Sequence, residues 1–339
     1  MKRVLVDKIA SVAASCRLTS EIRLTEEIPC EEGVVLTVEV LDEKATYNQL
    51  ELASGRMAIV RKGDLLVGAL GHRKALFGYS GHVPESLRPG SLVHLLNLGG
   101  VLGECDDYDP CRGAPYTCKV LGAVLSFPFL GERIGIPARI GAFALDRDPA
   151  LPWNGIPVIA IAGSCMDAGK TAAACAILGR SRDRGFIVDA FKATGVSARR
   201  DILAMEDAGA RSTAIFTDFG VVTTTAANGP ALAKTMLRRL ATKEPDAILF
   251  ELGDGLLGAY GVEAILDDGE IRKTLTAVVL SANDPVAAWG GVRILRERFG
   301  IEPTVVTGPS TDNAVGVEII RERLHVRAAN ALTSGDALG

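Results

Sequence analysis

A short segment near the middle of the chain combines residue types that can hold phosphate groups. An apolar run ends at Ala162, and the loop of small residues after it closes with Gly169, Lys170 and Thr171 before a run that favours helix. A strand, a loop and a helix N-terminus in this order present backbone N–H groups to an anion, and the helix dipole favours negative charge there. In such a loop the lysine reaches the β- and γ-phosphates and the hydroxyl binds Mg²⁺. The segment predicts binding of a nucleoside triphosphate, ATP or alternatively GTP, together with Mg²⁺.

The spacing of this motif is one residue longer than the usual pattern. Five residues separate Gly163 from Gly169, and Ser164 occupies the usual position of the first glycine. A chance Gly-Lys-Thr in a turn, or a degenerate loop that no longer binds, are the two alternatives. The flanking strand and helix, and the presence of both Lys170 and Thr171, weigh against them. The predicted nucleotide-binding residues are Gly163, Ser164, Cys165, Met166, Asp167, Ala168, Gly169, Lys170, Thr171 and Ala172.

Charged residues follow two later apolar segments. Lys192 follows the predicted strand 185–191, Glu251 follows the apolar run 247–250, and a Gly-Asp-Gly turn then contains Asp254. Because parallel strands end at a common edge, these side chains are expected near the loop. Carboxylate oxygens suit Mg²⁺, and a positioned cation stabilises charge on a transferring phosphoryl group. The predicted catalytic residues are Lys170, Lys192, Glu251 and Asp254, although Lys192 and Glu251 could instead be ordinary solvated side chains.

The elements that would position these residues alternate along the second half of the chain. The sequence predicts strands over 158–162, 186–191, 210–216, 246–251, 277–282 and 304–307. Between and after them it predicts a helix that follows the loop to about residue 183, and helices over about 199–208, 229–243, 286–299 and 313–324. This alternation is typical of parallel βαβ units. We therefore expect an α/β fold with an open, mostly parallel P-loop sheet that carries helices on both faces.

The first half of the chain has a different pattern. Short strands are predicted over 34–41, 56–60, 64–70, 91–97 and 117–126, separated by turns rich in glycine and proline. Such spacing favours a small barrel or sandwich. A chain of 339 residues also exceeds one ordinary core, which favours two domains. The predicted organisation is a smaller β-rich domain over 1–148, a linker over 149–156 and a P-loop NTPase domain over 157–339.

Composition narrows the range of partners and locations. The net charge of −4 gives no electrostatic support for a nucleic-acid partner. No apolar run reaches the length of a membrane-spanning helix, and the first residues lack a signal-peptide pattern. Seven cysteines, an odd number, favour reduced thiols, so a cytoplasmic location is predicted. A mixed metal site of Cys105, Cys111 and Cys118 with nearby histidines is conceivable, but structural cysteines are commoner.

The second half resembles dethiobiotin synthetase and its relatives in the SIMIBI class of P-loop proteins, over about residues 156–325. The resemblance rests on the loop 163–171, the lysine and small residues of 191–195, Asp201, and the glutamate with its glycine-rich turn at 251–255. It implies that Thr171, Asp201 and Glu251 hold Mg²⁺ and that the protein is a homodimer. Asp254 and the first 150 residues have no counterpart in the synthetase, and an adenine-reading asparagine is not evident after the last strand.

Three functions are compatible with these features. The first is an ATP-dependent, ligase-like or NTP-hydrolysing enzyme that phosphorylates a small carboxylate or carbamate for capture by an amine. The second is a nucleotide-dependent switch or maturation factor that acts on a protein partner. The third keeps the fold but places another diphosphate, such as that of an acyl-CoA, in the loop. Function has to be argued from the site, because one fold hosts many activities.

Overall fold

The chain divides into two compact units, and two short segments of its second half belong to the first unit. The computed structural model describes residues 1–129, 131, 134–146 and 149–333, so the predicted domain limits at 147–148 and 334–339 lie outside the described residues. The first unit comprises Met1–Ala144, Val196–Arg200 and Phe216–Thr223, and the second comprises Leu145–Gly195, Asp201–Ile215 and Thr224–Gly339. The sequence contained no sign of the two returning segments.

The first unit is built from short strands. Its strands are β1 (Lys2–Leu5), β2 (Lys8–Ile9), β3 (Glu21–Thr25), β4 (Val35–Val40), β5 (Gln49–Glu51), β6 (Met57–Ile59), β7 (Leu65–Leu70), β8 (Arg73–Lys74), β9 (Tyr79–His82), β10 (Leu92–Leu95), β11 (Val101–Tyr108), β12 (Tyr116–Ser126) and β13 (Ile136–Pro137). Short 3₁₀ helices span Ser11–Cys16 and Phe216–Phe219.

Five of these strands close into a barrel. The pairings run from β4 to β7, β11, β10 and β12 and return to β4. The β7–β11 pair is parallel and the other four pairs are antiparallel. The β-branched and other apolar residues of β4 and β7 supply much of the buried core, which is what such residues do on a pleated surface. Val196 and Val222, from the two returning segments, also pack into this core.

The second unit has one six-stranded sheet with helices between its strands. Its strands are β14 (Val158–Gly163), β15 (Val188–Lys192), β16 (Thr213–Ile215), β17 (Ala247–Glu251), β18 (Leu275–Ser281) and β19 (Val305–Thr307). Its helices are α1 (Lys170–Asp183), α2 (Arg200–Asp207, whose first residue lies in the first unit), α3 (Gly229–Ala241), α4 (Val262–Asp267), α5 (Gly269–Thr274), α6 (Pro285–Phe299) and α7 (Ala314–Leu324), with a 3₁₀ turn over Pro309–Thr311.

All pairings in this sheet are parallel. The strand order is β16–β15–β17–β14–β18–β19, so the strand that leads into the phosphate loop lies in the middle. Nearly every residue of strands β14, β15 and β17 is buried, as expected for parallel strands that are covered on both faces. The rings of Phe191 and Phe250 stack across β15 and β17 with centroids 5.0 Å apart. The predicted fold class, a parallel P-loop sheet plus a β-rich domain, is confirmed.

Candidate nucleotide site

The phosphate loop connects the end of β14 to the first turn of α1. The backbone N–H of Ser164 donates to the carbonyl oxygen of Ser281 on β18 at 2.9 Å. Asp167 and Gly169 have positive φ angles of 57° and 89°, which turn the chain into the helix. Among the described residues no side chain caps α1. Because the first N–H groups of a helix have no intrahelical acceptor, this N-terminus can bind an anion.

Lys170 lies folded against this loop. Its side chain is buried, and its Nζ donates to the carbonyl oxygen of Cys165 at 2.8 Å. Gly163 makes room for the lysine, since a Cβ there would lie 2.7 Å from Lys170 Cδ. Burial lowers the pKa of Lys170, and the nearby Glu251 carboxylate counteracts this shift. A cation held by a carbonyl oxygen can exchange that acceptor for a phosphate oxygen, which makes a stronger, charge-assisted hydrogen bond.

The next residue, Thr171, contacts the acid at the end of β17. Its Oγ1 donates to Glu251 Oε2 at 2.9 Å. Glu251 is only 2% exposed, and burial raises its pKa, while the charges of Lys192 and Lys170 oppose the shift. A hydroxyl and a carboxylate in contact offer hard oxygen donors of the kind that Mg²⁺ prefers.

A second lysine joins two acids beside this pair. Lys192 ends β15, and its buried Nζ forms an ion pair with Asp201 Oδ2. The same Nζ lies 4.0 Å from Glu251 Oε1. Asp201 lies in the first turn of α2, where a carboxylate is favoured by the helix dipole.

The Gly-Asp-Gly turn after β17 packs tightly against these groups. A Cβ on Gly253 would lie 2.2 Å from the carbonyl oxygen of Thr194, and one on Gly255 would lie 2.5 Å from that of Ser164. The two glycines therefore allow a backbone-to-backbone approach that no other residue permits. Asp254 between them is 7% exposed and has a φ of 70°.

The structure brings the six predicted catalytic and metal-binding residues into one cluster at the carboxyl edge of the sheet. They are Lys170, Thr171, Lys192, Asp201, Glu251 and Asp254. Gly308 also approaches the loop: a Cβ there would lie 2.3 Å from the carbonyl oxygen of Ala168. The sequence analysis did not select Gly308, whose only signal was a Gly-Pro pair after the last strand.

The described residues also test the predictions about cysteines, a second metal site and membrane-spanning helices. Within those residues, no group of three or more histidine, cysteine, aspartate or glutamate side chains is placed to hold a metal, so the mixed cysteine–histidine site does not form. All seven cysteines are free thiols. No helix in the described ranges is both long and apolar enough to cross a membrane.

Comparisons with known proteins found no family, and the solved structures they found are only distantly similar. No protein-family model matches the chain, and no curated protein matches it. The signal recognition particle receptor FtsY from Elizabethkingia anophelis is 14% identical over 52% of this chain and 58% of its own, with a TM-score of 0.40. A DUF1611 family protein from Anabaena variabilis is 16% identical over 60% of each chain, with a TM-score of 0.38. The hydrogenase maturation factor HypB from Archaeoglobus fulgidus is 13% identical over 54% of this chain and 85% of its own, with a TM-score of 0.37.

The chain thus spans less than two thirds of the length of the FtsY structure. The chain's own parallel sheet and phosphate loop define the class of its second unit, which is a P-loop α/β domain, as the sequence predicts. The finer likeness to dethiobiotin synthetase stays a prediction.

Proposed function

We propose that the second unit binds a nucleoside triphosphate with Mg²⁺ and transfers its γ-phosphoryl group. The observation that carries the proposal is the buried Lys170 Nζ, held 2.8 Å from the Cys165 carbonyl oxygen within the loop, next to the Thr171–Glu251 pair. A cation, uncapped helix amides and hard oxygen donors are the parts that phosphoryl transfer uses.

Each residue has a distinct task in this proposal. Lys170 and the first amides of α1 bind the phosphates. Thr171, Glu251 and Asp201 would hold Mg²⁺ by their hard oxygen donors, and the bound ion would supply positive charge that offsets the charge of the phosphates. Lys192, buried beside both acids, orients Asp201 through their ion pair and adds positive charge where the transferring group gains negative charge.

The reaction we propose is the activation of a small carboxylate or carbamate by ATP for ligation to an amine. The support is chemical: once Mg²⁺ offsets the three carboxylates of the cluster, Lys170 and Lys192 would offer positive charge to an anionic acceptor. We assign the orientation of the amine to Asp254, which is buried beside the loop. GTP is the alternative nucleotide.

Calorimetric titration tests the binding step. We expect ATP or GTP to bind with at least about micromolar affinity and to bind more tightly with Mg²⁺ than with EDTA. Coenzyme A is titrated in parallel, and ATP is then added to compete. Tight coenzyme A binding that ATP does not displace, with no nucleotide binding, overturns the proposal and supports the acyl-CoA alternative. Light scattering of the same samples tests the predicted homodimer.

A nucleotide-dependent switch is a second candidate, and one observation favours it. The five residues between Gly195 and Asp201 belong to the β-rich unit, so the chain leaves the nucleotide-binding unit and returns to it between Lys192 and Asp201. Phosphate release distinguishes the two functions. Stimulation by one member of a panel of acids and amines supports the ligase, whereas a slow basal rate that no small molecule changes supports the switch.

A further inference from the structure

A buried carboxylate in the first unit binds two backbone amides of the segment Val196–Arg200. Glu51 ends β5 and is only 1% exposed. Its Oε1 accepts from the N–H of Arg199 at 2.6 Å, and its Oε2 accepts from the N–H of Arg200 at 2.9 Å. Its own N–H donates to the carbonyl oxygen of Leu98 at 2.7 Å, which fixes the residue at its backbone. Both carboxylate oxygens of the buried Glu51 thus accept hydrogen bonds from backbone N–H groups.

The two amides belong to the beginning of α2. This helix starts at Arg200, and the first N–H groups of a helix need acceptors from outside it. A carboxylate at this place satisfies two of them and interacts favourably with the helix dipole. Glu51 is therefore an N-terminal cap supplied from 148 residues earlier in the chain.

Other contacts hold the same segment. The side-chain amide of Asn97 donates to the carbonyl oxygen of Ser197 at 2.8 Å and accepts from the N–H of Val101 at 3.0 Å. A Cβ on Gly99 would lie 2.0 Å from the Ser197 carbonyl oxygen, so only glycine permits this approach. The hydroxyls of Ser197 and Thr217 lie 2.8 Å apart. The segment is thus fixed at several points within the first unit.

We infer that Glu51 is a positioning residue for Asp201, and the inference rests on the proposed function. Asp201 is covalently the next residue after Arg200, within the same helix. A carboxylate that binds a metal ion needs its position fixed closely by its neighbours. By accepting from the first amides of α2, Glu51 fixes the start of the helix that carries Asp201.

The chain offers a matched control. Glu32, in the same unit, accepts through Oε1 from the N–H groups of Val222 at 2.8 Å and Thr223 at 2.9 Å. It therefore also binds two consecutive amides of a returning segment. That segment bonds to Val196 and Ser197, but it does not supply the first turn of α2. Glu51→Gln and Glu32→Gln remove the same charge and weaken the same kind of hydrogen bond.

The first measurement is Mg²⁺ dependence of nucleotide binding. We expect Glu51→Gln to raise the Mg²⁺ concentration at half-saturation about 10-fold, the size of effect seen when a neighbour that orients a metal ligand is lost. Nucleotide affinity in EDTA should stay unchanged, and Glu32→Gln should behave as wild type in both. An equal change in both variants would show general destabilisation and overturn the inference.

The second measurement needs no nucleotide. Amide hydrogen exchange read by mass spectrometry should quicken at residues 196–207 in Glu51→Gln and at 216–223 in Glu32→Gln. Faster exchange at 196–207 with unchanged Mg²⁺ dependence overturns the positioning role while leaving the cap and the proposed function intact. Unchanged exchange overturns the cap itself. Wild-type protein that binds no nucleotide removes the proposed function and the inference together.

Discussion

Helices α1 and α6 follow the neighbouring parallel strands β14 and β18, yet their first turns are satisfied differently. At α6 the Asp284 side chain accepts from the N–H groups of Val286 and Ala287, both at 2.8 Å, and Pro285 at the first position has no N–H to satisfy. At α1 the preceding residue is Gly169, which has no side chain, and no cap forms among the described residues.

The difference is that the first amides of α6 have a side-chain acceptor and those of α1 have none among the described residues. The carboxylate at α6 uses the free amides and brings a negative charge that repels other anions. At α1 the amides stay available, and the side chain of Lys170 adds a positive charge beside them. We therefore expect anion binding at α1 and a purely structural role for the N-terminus of α6.

The largest expected effect comes from removing the cation at α1. Lys170→Ala should weaken nucleotide binding at least about 100-fold, because a charged hydrogen-bond donor is lost from a site of low exposure. Calorimetric titration with ATP and GTP measures this. Lys62→Ala, which removes one exposed lysine of the first unit, is the control and should bind as wild type. If Lys170→Ala bound nucleotide as tightly as wild type, Lys170 would have no role in binding, and the proposed difference between the N-termini of α1 and α6 would be wrong.

The acid beside α1 should affect turnover more than binding. Glu251→Gln keeps an acceptor for the Thr171 hydroxyl but removes the negative charge, so Mg²⁺-dependent phosphate release should fall at least about 10-fold while nucleotide affinity in EDTA is kept. Steady-state phosphate release over a range of Mg²⁺ concentrations measures this. Glu85→Gln changes an exposed glutamate and should leave the rate unaltered. An undiminished rate in Glu251→Gln would exclude Glu251 from the metal set.

The cap at α6 should matter only for stability. Asp284→Ala is expected to lower the free energy of unfolding by about 1 kcal/mol, because two amides lose their acceptor. Asp284→Asn should recover most of this, since asparagine is also a good cap. Urea denaturation measures both variants. The comparison predicts that neither variant changes nucleotide affinity, and a clear change would show that α6 also takes part in binding.

The smallest effect concerns another capped helix, α5. Burial alone would raise the pKa of Asp268, but hydrogen bonds from Lys234 and from the amides of Ile271 and Glu270 lower it below its ordinary value. A lowered folded-state pKa contributes stability above the unfolded-state pKa of about 4, and this is lost as the pH falls through the folded-state value.

Asp268→Asn keeps a cap and removes the charge. It should therefore be less stable than wild type by about 0.5 kcal/mol at pH 7, and the two stabilities should converge as the pH falls below about 4. Urea denaturation at a series of pH values measures the convergence. A difference that stays constant with pH would show that the charge of Asp268 does not stabilise α5.

Much of the second unit could be predicted because its signals are local. Short segments rich in apolar residues that end in a charged residue mark β15 before Lys192 and β17 before Glu251, and the parallel sheet follows from their alternation with helices. Helices α4 and α5 were missed, since each has only six residues and neither has a sustained apolar period.

The first unit was harder to predict for physical reasons. Strand β11 was missed because its second half reads Glu-Cys-Asp-Asp-Tyr and is largely exposed, so no apolar alternation marks it. The burial of Glu51 could not be foreseen either. Its role as an acceptor depends on two backbone amides that come close only after folding. Every residue except proline has such an amide, so the sequence does not show which ones will meet Glu51.

The close packing of Gly163 against the stem of Lys170 has an evolutionary consequence. Any related chain that carries a side chain at position 163 would displace the methylene groups of its lysine, and so would need another lysine rotamer, a different residue at position 170 or a rebuilt loop. The two positions should therefore tend to vary together among descendants of a common ancestor. A lineage that lost the glycine is expected to keep the lysine less often than a lineage that kept it.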